Sequence, residues 1–267
     1  MTTNSTQGKG MAWFAAAAGA LALSAGAAQA QFFSFASDTN DQAWTFQYNP
    51  QTNRITHSAA ESNPIRLLVD DRNGPLVPVG IDTEFRADMG LAPLQAVDLG
   101  GGEWLHVYSL SGSFEFLVDV GGNLEVAMRV EFSDATLTAR GTADRWRMTA
   151  NISGSDSEGD NTLVTYSFFQ PLLDLVPDFA NYGLASGDSI GPDDFAFTLT
   201  SLNTSGAVGF DPAMDPDNIG TPIGTPGGLP IQTWWSEGSF SGSAVIPSPA
   251  SLALFGLGGL ALTRRRR

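Results

Sequence analysis

The stretch SFEFLVDVGGNLEVAMRVEF, residues 113–132, decides the fold class. Apolar and polar residues alternate on both sides of a central Gly-Gly-Asn, and this period of two is typical of half-buried antiparallel strands. Because the apolar residues of both arms carry even numbers, the strands can pair only where partner numbers add to an even sum. A turn at 121–123 then predicts that Phe116 faces Met128, and that Glu115 faces Arg129.

Similar alternation extends outward through most of the chain. Gly, Asn, Asp and Pro separate the runs, and only a turn or two after Pro171 favours a helix. The pattern predicts an all-β fold, an antiparallel β-sandwich of the jelly-roll type, flanked by an N-terminal signal helix and a short C-terminal membrane helix. The predicted strands lie near 32–37, 44–48, 53–58, 65–69, 77–87, 104–111, 114–120, 124–132, 135–140, 146–152, 162–169, 194–201 and 231–245.

Charge is distributed unevenly along the 267 residues. The span 31–246 holds all 28 acidic residues but only eight arginines, which gives it a formal charge of −20. A surface of this sign repels nucleic acid and anionic membranes, so we exclude nucleic acid as a partner. The chain has no cysteine, and a domain of this size buries enough surface to fold without disulfides.

The first 30 residues have the three parts of a secretory signal peptide. Lys9 supplies the positive charge, residues 11–27 form an Ala/Leu-rich run, and Ala28-Gln29-Ala30 is a small-x-small cleavage site. We therefore expect signal peptidase to cleave after Ala30 and to leave Gln31 as the first residue of an exported protein.

The C-terminus contains a second membrane-directed segment. Pro247-Ser248-Pro249 precedes an apolar run at 250–263, and the chain ends with Arg264, Arg265, Arg266 and Arg267. As a helix the run rises about 21 Å, which is short of a hydrocarbon core of about 30 Å, so it predicts a transient inner-membrane tether. The arginines stay cytoplasmic by the positive-inside rule. The predicted organisation is a signal peptide at 1–30, an ectodomain at 31–244 and a sorting segment at 245–267.

This order of Pro-x-Pro, short apolar helix and arginine cluster resembles the PEP-CTERM sorting signal of Gram-negative bacteria. The resemblance covers about the last 22 residues. It implies processing by an exosortase-like membrane enzyme, and delivery to the cell surface or to the extracellular polysaccharide of a biofilm matrix. Ser248 stands where the family has its central Glu, which implies a variant sorting enzyme.

Two features of the ectodomain favour glycan binding. Trp234 and Trp235 are adjacent on a predicted strand, so one ring can enter the core while the other forms a stacking platform for a sugar, unless a neighbouring loop covers it. A group of arginines on or beside the outer face of three consecutive strands would suit carboxylated or sulfated glycans. These are Arg129, Arg140, Arg145 and Arg147, and the alternative is that they pair with Glu125, Glu131 and Asp144.

Metal and catalytic motifs are weak. A Pro/Gly-rich segment at 203–230 is predicted to be an extended surface loop. It contains a possible calcium site at Asp211, Asp215, Asp217 and Asn218, and another acidic cluster lies at 156–161.

His57 and His106 are expected to be hydrogen-bonded strand residues rather than metal ligands. Ser189 lies in a G-x-S-x-G pattern, but both histidines precede it, so a surface turn is expected there.

The sequence therefore predicts an exported cell-surface or exopolysaccharide-associated protein without catalytic activity. A structural role in the matrix or envelope is the first description of it, and glycan binding is the second. The alternative is a secreted glycoside hydrolase or lyase on a jelly-roll scaffold. A pair of carboxylates in a groove lined by Trp104 or Trp234 would favour the enzyme, and an arginine-rich face would favour binding. With 28 acidic residues, spacing alone selects no catalytic pair.

Overall fold

The structure, a computed structural model, describes residues 29–36, 44–57, 65–71, 79–155, 162–177, 179, 183–190, 193–203 and 220–246. Contacts divide the chain into two units, and Ala30–Ile246 forms one of them. The other, Met1–Gln29 with Pro247–Arg267, lies outside the described residues except for Gln29. The predicted signal helix and C-terminal membrane helix fall there. Among the described residues, no helix has the length and apolar character needed to cross a bilayer.

The described chain is built almost entirely from antiparallel strands, which confirms the all-β class. The six-residue helix α1, Gln170–Leu175, has Pro171 in its first turn, as predicted. The strands are β1 Gln29–Ala36, β2 Trp44–Asn49, β3 Arg54–His57, β4 Ile65–Asp71, β5 Val79–Gly100, β6 Glu103–Val120, β7 Asn123–Thr142, β8 Arg145–Ser155, β9 Leu163–Phe168, β10 Ser189–Ile190, β11 Asp194–Asn203, β12 Thr221–Pro222 and β13 Trp234–Ile246.

Three strands are longer than the sequence predicts, because residues that were expected to end a strand instead form bulges within it. The predicted strands 104–111 and 114–120 form a single β6, and 124–132 and 135–140 form a single β7. Between their two halves the ladder shifts register, and the Asp134 backbone N–H donates to Ser111 Oγ at 3.0 Å. Bulges of this kind bend a strand without ending it. β5 likewise continues 13 residues beyond the predicted end at residue 87, to Gly100.

The 13 strands form one sheet, and eight of them are hydrogen-bonded in a closed order in which the last strand pairs with the first. β5 pairs with β6, and the pairing continues through β7, β8, β11, β13, β2 and β3 back to β5. Aromatic rings from strands that are not hydrogen-bonded neighbours meet inside this circuit. Phe85 on β5 stacks on Phe197 of β11 at 5.7 Å, and Phe114 on β6 contacts Phe240 of β13 at 5.4 Å. The core therefore lies between walls that face each other.

The β6–β7 hairpin confirms the predicted register and corrects the predicted turn. Phe116 faces Met128, and Glu115 faces Arg129. The turn, however, contains only Gly121 and Gly122, both at positive φ, a turn geometry whose twist matches that of the flanking strands. A bulge at Ala127 adds the one residue that the shorter turn lacks, so the pairs beyond it keep the predicted register. Consequently Leu124, predicted to face the core, is 46% exposed.

Residues 220–231, which we name the capping loop, are exposed at 224–226 and at Ile231, as predicted for a surface loop, but the segment is attached to the core at several points rather than extended. Ile223 is buried, and its backbone N–H and that of Gly224 both donate to the Asp144 carbonyl. Gly220 adopts a φ of +79°, and a Cβ on it would lie 1.8 Å from the Trp146 carbonyl oxygen. Only glycine allows the loop to approach β8 this closely. Residues 204–219 lie outside the described chain.

Candidate functional site

The two adjacent tryptophans lie on opposite faces of β13, as their spacing predicts. Trp234 is fully buried and stacks on Phe46 at 5.6 Å, so it belongs to the core. Trp235 is half-buried on the outer face, opposite Thr45 of β2. Only Trp235 is therefore placed to contact a sugar.

The four predicted arginines do not form one patch. Arg129 is separated from Arg140 by 11 positions of β7, which is about 36 Å along the strand. Arg140, Arg145 and Arg147 lie together at the far end of β7 and the start of β8. Arg147 pairs with Glu103 at 2.7 Å, and Arg129 pairs with Glu115, which the predicted register places opposite it, and not with Glu125 or Glu131 of the alternative.

Several predicted sites lie wholly or partly outside the described residues. These are the Pro247-Ser248-Pro249 motif with Arg264 to Arg267, Ala28 of the cleavage site, the acidic cluster at 156–161, and the possible calcium ligands Asp211, Asp215, Asp217 and Asn218. Within the described part, no three His, Asp or Glu side chains are grouped to hold a metal ion. Ala30 and Gln31 lie in β1, whose register with β4 begins at Gln31 opposite Asp71.

The histidines and Ser189 have structural partners. His57 Nδ1 lies 2.9 Å from the Thr45 carbonyl, and His106 Nε2 lies 2.8 Å from the Thr142 carbonyl. Ser189 lies in the short strand β10, not in a turn, and its hydroxyl bonds Ser167 Oγ at 2.7 Å. A nucleophile elbow needs a strand, a sharp turn and a helix, and β10 instead pairs directly with β9.

The outer face of the sheet carries a polar groove. Three depressions of about 430, 430 and 480 Å³ adjoin one another, because all are lined by Asp88 and neighbours share other residues. The groove runs across β2, β3, β5, β6, β7 and β9. At the usual strand spacing its length is about 24 Å. Its outward-facing polar lining comprises Gln47, Arg54, Thr56, Arg86, Asp88, Ser113, Glu115, Glu131 and Thr165.

Strand alternation positions this lining. In β5, inward residues such as Phe85 and Ala87 are buried, which turns Arg86 and Asp88 outward. Asp88 lies opposite Ser113 on β6 and opposite Thr56 on β3, so three strands present polar side chains at one level. The side chains are therefore held by a continuous ladder rather than by mobile loops.

Ion pairs organise the charges of the groove. Arg54 Nε donates to Asp88 Oδ1 at 2.7 Å, and this hydrogen bond raises the pKa of Arg54. Arg86 and Arg129 lie on either side of β6 and both bind Glu115, whose side chain is only 9% exposed. Glu131 has no ion-pair partner among the described residues.

Trp235 lies on the outer face of the sheet, close to the β2 end of the groove. Thr233 lines the groove beside Gln47, and Trp235 follows two residues later on the same face of the chain. Trp104, the other aromatic considered for a sugar site, is half-buried at the start of β6, nine residues from Ser113, or about 30 Å along the strand. Trp104 and the groove are therefore separate.

Sequence reasoning identified Arg129 and Trp235 but missed Arg54, Arg86 and Asp88. Arg86 and Asp88 continue an outward alternation from Asp82 and Glu84, a signal that was available in the sequence. The sequence did not show which residues Arg86 and Asp88 would lie beside. That depends on the pairing of β5 with β3, which is distant in the chain, and on the register of the long β5–β6 hairpin.

The groove can bind an extended polar ligand through hydroxyl, amide, guanidinium and carboxylate groups, with one indole near its end. Such a lining suits hydrogen bonding and stacking on a rigid surface. Comparison with protein-family models, with curated proteins and with solved structures finds no match for the chain.

Proposed function

We propose that this chain is an exported, non-catalytic protein of the cell surface or exopolysaccharide of a Gram-negative-type bacterium, and that it binds polysaccharide in the polar groove. The scaffold we propose is a jelly-roll-like β-sandwich, supported by the Phe85–Phe197 and Phe114–Phe240 contacts between facing walls. Signal peptidase and an exosortase-like enzyme are its proposed processing partners, and the tail at 245–267 is its proposed transient tether.

The observation that carries the binding proposal is the continuity of the groove across six strands. A length of about 24 Å accommodates several sugar units in a row, and every strand it crosses contributes side chains from a fixed position. A polymer bound this way gains from many modest hydrogen bonds on a surface that needs no reordering. Two of the three groove carboxylates, Asp88 and Glu115, are ion-paired, which favours binding over the two-carboxylate chemistry of a glycosidase.

Export is supported by the position of β1. Its paired residues run from Gln31 to Ser34, opposite Asp71 to Leu68, so cleavage after Ala30 would leave this part of the ladder complete. N-terminal sequencing of the surface protein should give Gln31. A variant lacking residues 247–267, which leaves β13 intact, should lose its inner-membrane attachment and be recovered in the soluble periplasmic fraction. A protein that stays in the cytosol with both ends intact would contradict the proposed sorting.

Retention on a panel of neutral and acidic polysaccharides tests the binding proposal. Trp235→Ala should weaken binding about three- to tenfold, because it removes one aromatic stacking surface. Thr56→Ala combined with Ser113→Ala should weaken it further. The matched control is Asn151→Ala with Thr198→Ala, a hydroxyl-amide pair on β8 and β11 that lies outside the groove lining.

Equal retention of the groove and control variants would contradict the proposed site. Reducing ends or unsaturated products should be assayed with each polymer. Their release, abolished by Glu131→Gln, would favour the alternative of a polysaccharide-acting enzyme.

A further inference from the structure

We infer that Arg86, Glu115 and Arg129 form an anion subsite of the polar groove, and that it takes the carboxylate of an isolated uronic acid in an otherwise neutral polysaccharide. This inference rests on the proposed glycan binding and names the class of ligand. It applies to a ligand with sparse carboxylates, not to a dense polyanion.

The first support is the geometry of the three side chains. Arg129 donates from Nε and Nη2 to Glu115 Oε1, each at 2.7 Å. Arg86 donates from Nε, at 2.6 Å, and from Nη2 to Oε2 of the same carboxylate. Each guanidinium thus uses one edge, and within the described chain its remaining Nη has no polar partner. Two positive charges against one negative charge leave the cluster with a net charge of +1.

The second support is that the two arginines are already ordered. Glu115 is largely buried, so it holds both guanidinium groups in fixed directions, and Arg129 also lies over the Phe169 ring at 5.6 Å. The side chains of Arg86 and Arg129 nevertheless remain 48% and 37% exposed. An incoming carboxylate meets donors whose rotamer freedom was lost on folding, which favours binding.

The third support is the surrounding charge, which limits how many carboxylates a ligand can carry. The groove and its rim hold three arginines, Arg54, Arg86 and Arg129, against three carboxylates, so this region is neutral within a body of charge −20. A single carboxylate beside Arg86 is attracted by the cluster. A dense polyanion would also place charges beside Asp88 and Glu131 and would meet the negative field of the whole ectodomain.

Pectins that share one backbone and differ only in methyl esterification provide the probe. At moderate salt, the purified protein should bind sparsely de-esterified pectin more tightly than either the fully esterified or the fully de-esterified polymer. Arg86→Gln should lower affinity for the sparse polymer about tenfold, to that for the fully esterified one, because a charge-assisted hydrogen bond is lost. Arg147→Gln is the matched control, since Arg147 also pairs with a carboxylate but lies outside the groove.

Glu115→Gln separates an ordered subsite from general attraction. This change makes the protein less negative, yet it releases both arginines, so binding of the sparse pectin should weaken; a general charge effect would strengthen it. Arg86→Lys keeps the charge without the planar fork and should also weaken binding. Thermal melts check the folding of each variant, and if Glu115→Gln fails to fold, the two Arg86 variants decide.

The outcomes separate this inference from the proposed function. Equal affinity for the fully esterified and sparse pectins, with no effect of Arg86→Gln, would leave glycan binding in place and overturn the anion subsite. Tightest binding to the fully de-esterified polymer would overturn the preference for sparse carboxylates. Retention on no polysaccharide, neutral or acidic, would remove the proposed function as well.

Discussion

Strand β6 carries two polar clusters that differ in almost every respect. Near its end, Glu115 points outward and binds Arg86 and Arg129 at the protein surface. Near its start, His106 and Tyr108 point inward, and both are fully buried under the capping loop. The outward cluster is charged and keeps donors directed at solvent, whereas the inward cluster is neutral and bonds within the protein. The first is suited to a ligand and the second to stability.

The inward cluster fastens the capping loop to the core. Trp146 Nε1 donates to the Tyr108 hydroxyl at 2.9 Å, and that hydroxyl donates to the Gly228 carbonyl at 2.7 Å. The Gly227 backbone N–H donates to His106 Nδ1 at 3.2 Å, which leaves Nε2–H to donate to the Thr142 carbonyl at 2.8 Å. Each of these groups would be costly to leave unpaired in the interior.

The largest expected effect comes from breaking the attachment of this loop. Gly220 and Gly224 occupy equivalent places in the repeat IGTP-IGTP and share a φ of +79°, but only at Gly220 would a Cβ meet other atoms. Gly220→Ala should destabilise the protein by about 4 kcal/mol, and the matched Gly224→Ala by about 1 kcal/mol, since it has the backbone cost alone. Urea denaturation measures both, and similar losses would mean that the loop does not press against β8.

Next in size is the hydroxyl that joins loop and core. Tyr108→Phe leaves the Gly228 carbonyl and the Trp146 indole N–H without their partner, so we expect a loss of about 3 kcal/mol. Hydrogen exchange of the amides at 223–231 should accelerate more than that of the β6–β7 ladder. Uniform acceleration across the sheet would show that the cluster serves the whole core rather than the loop.

Alkaline pH should destabilise the protein through the buried tyrosine of the inward cluster. Burial raises the pKa of Tyr108 from its ordinary value of 10.0 to about 12, although the Trp146 hydrogen bond opposes this, and burial also raises the pKa of Tyr166. Between pH 10.0 and about 12, the Tyr108 hydroxyl is ionised in the unfolded chain but still protonated in the folded protein. The free energy of unfolding is therefore unaffected below about pH 10 and should fall by on the order of 2 kcal/mol as pH rises towards 12.

Denaturation curves across this range, for the protein and for Tyr108→Phe, provide the check. The variant starts lower but should lose less stability with rising pH, because only Tyr166 and other tyrosines still titrate. Parallel curves would show that Tyr108 does not titrate differently in the two states.

Much of the fold was readable in the sequence, because it depends on local periodicity. The even numbering of Phe116 and Met128 was enough to place Glu115 opposite Arg129. The Gly121–Gly122 turn was missed because a longer turn and a shorter turn with a bulge at Ala127 give the same parity farther along the hairpin. Periodicity determines which face a residue occupies but not how many residues the turn contains.

The groove was less predictable, because it depends on which strands become neighbours. Arg129, Arg140, Arg145 and Arg147 share an outward direction, yet the length of β7 separates the first from the others. Arg86 joins Arg129 only because β5 and β7 pair with opposite edges of β6. Trp234 and Trp235 could be assigned to opposite faces, but their spacing did not say which one would be buried.

Neutralising the outward cluster should affect stability much less than breaking the inward one, although its effect on binding should be large. Glu115→Gln should cost only about 1 kcal/mol, because both arginines are partly exposed and can be hydrated once their partner is neutral. Glu103→Gln, which removes the more exposed partner of Arg147, should change stability by less than about 0.5 kcal/mol. A loss above that of Tyr108→Phe would assign Glu115 to the same structural role as the inward cluster, and the difference between the two ends of β6 would then be one of charge alone.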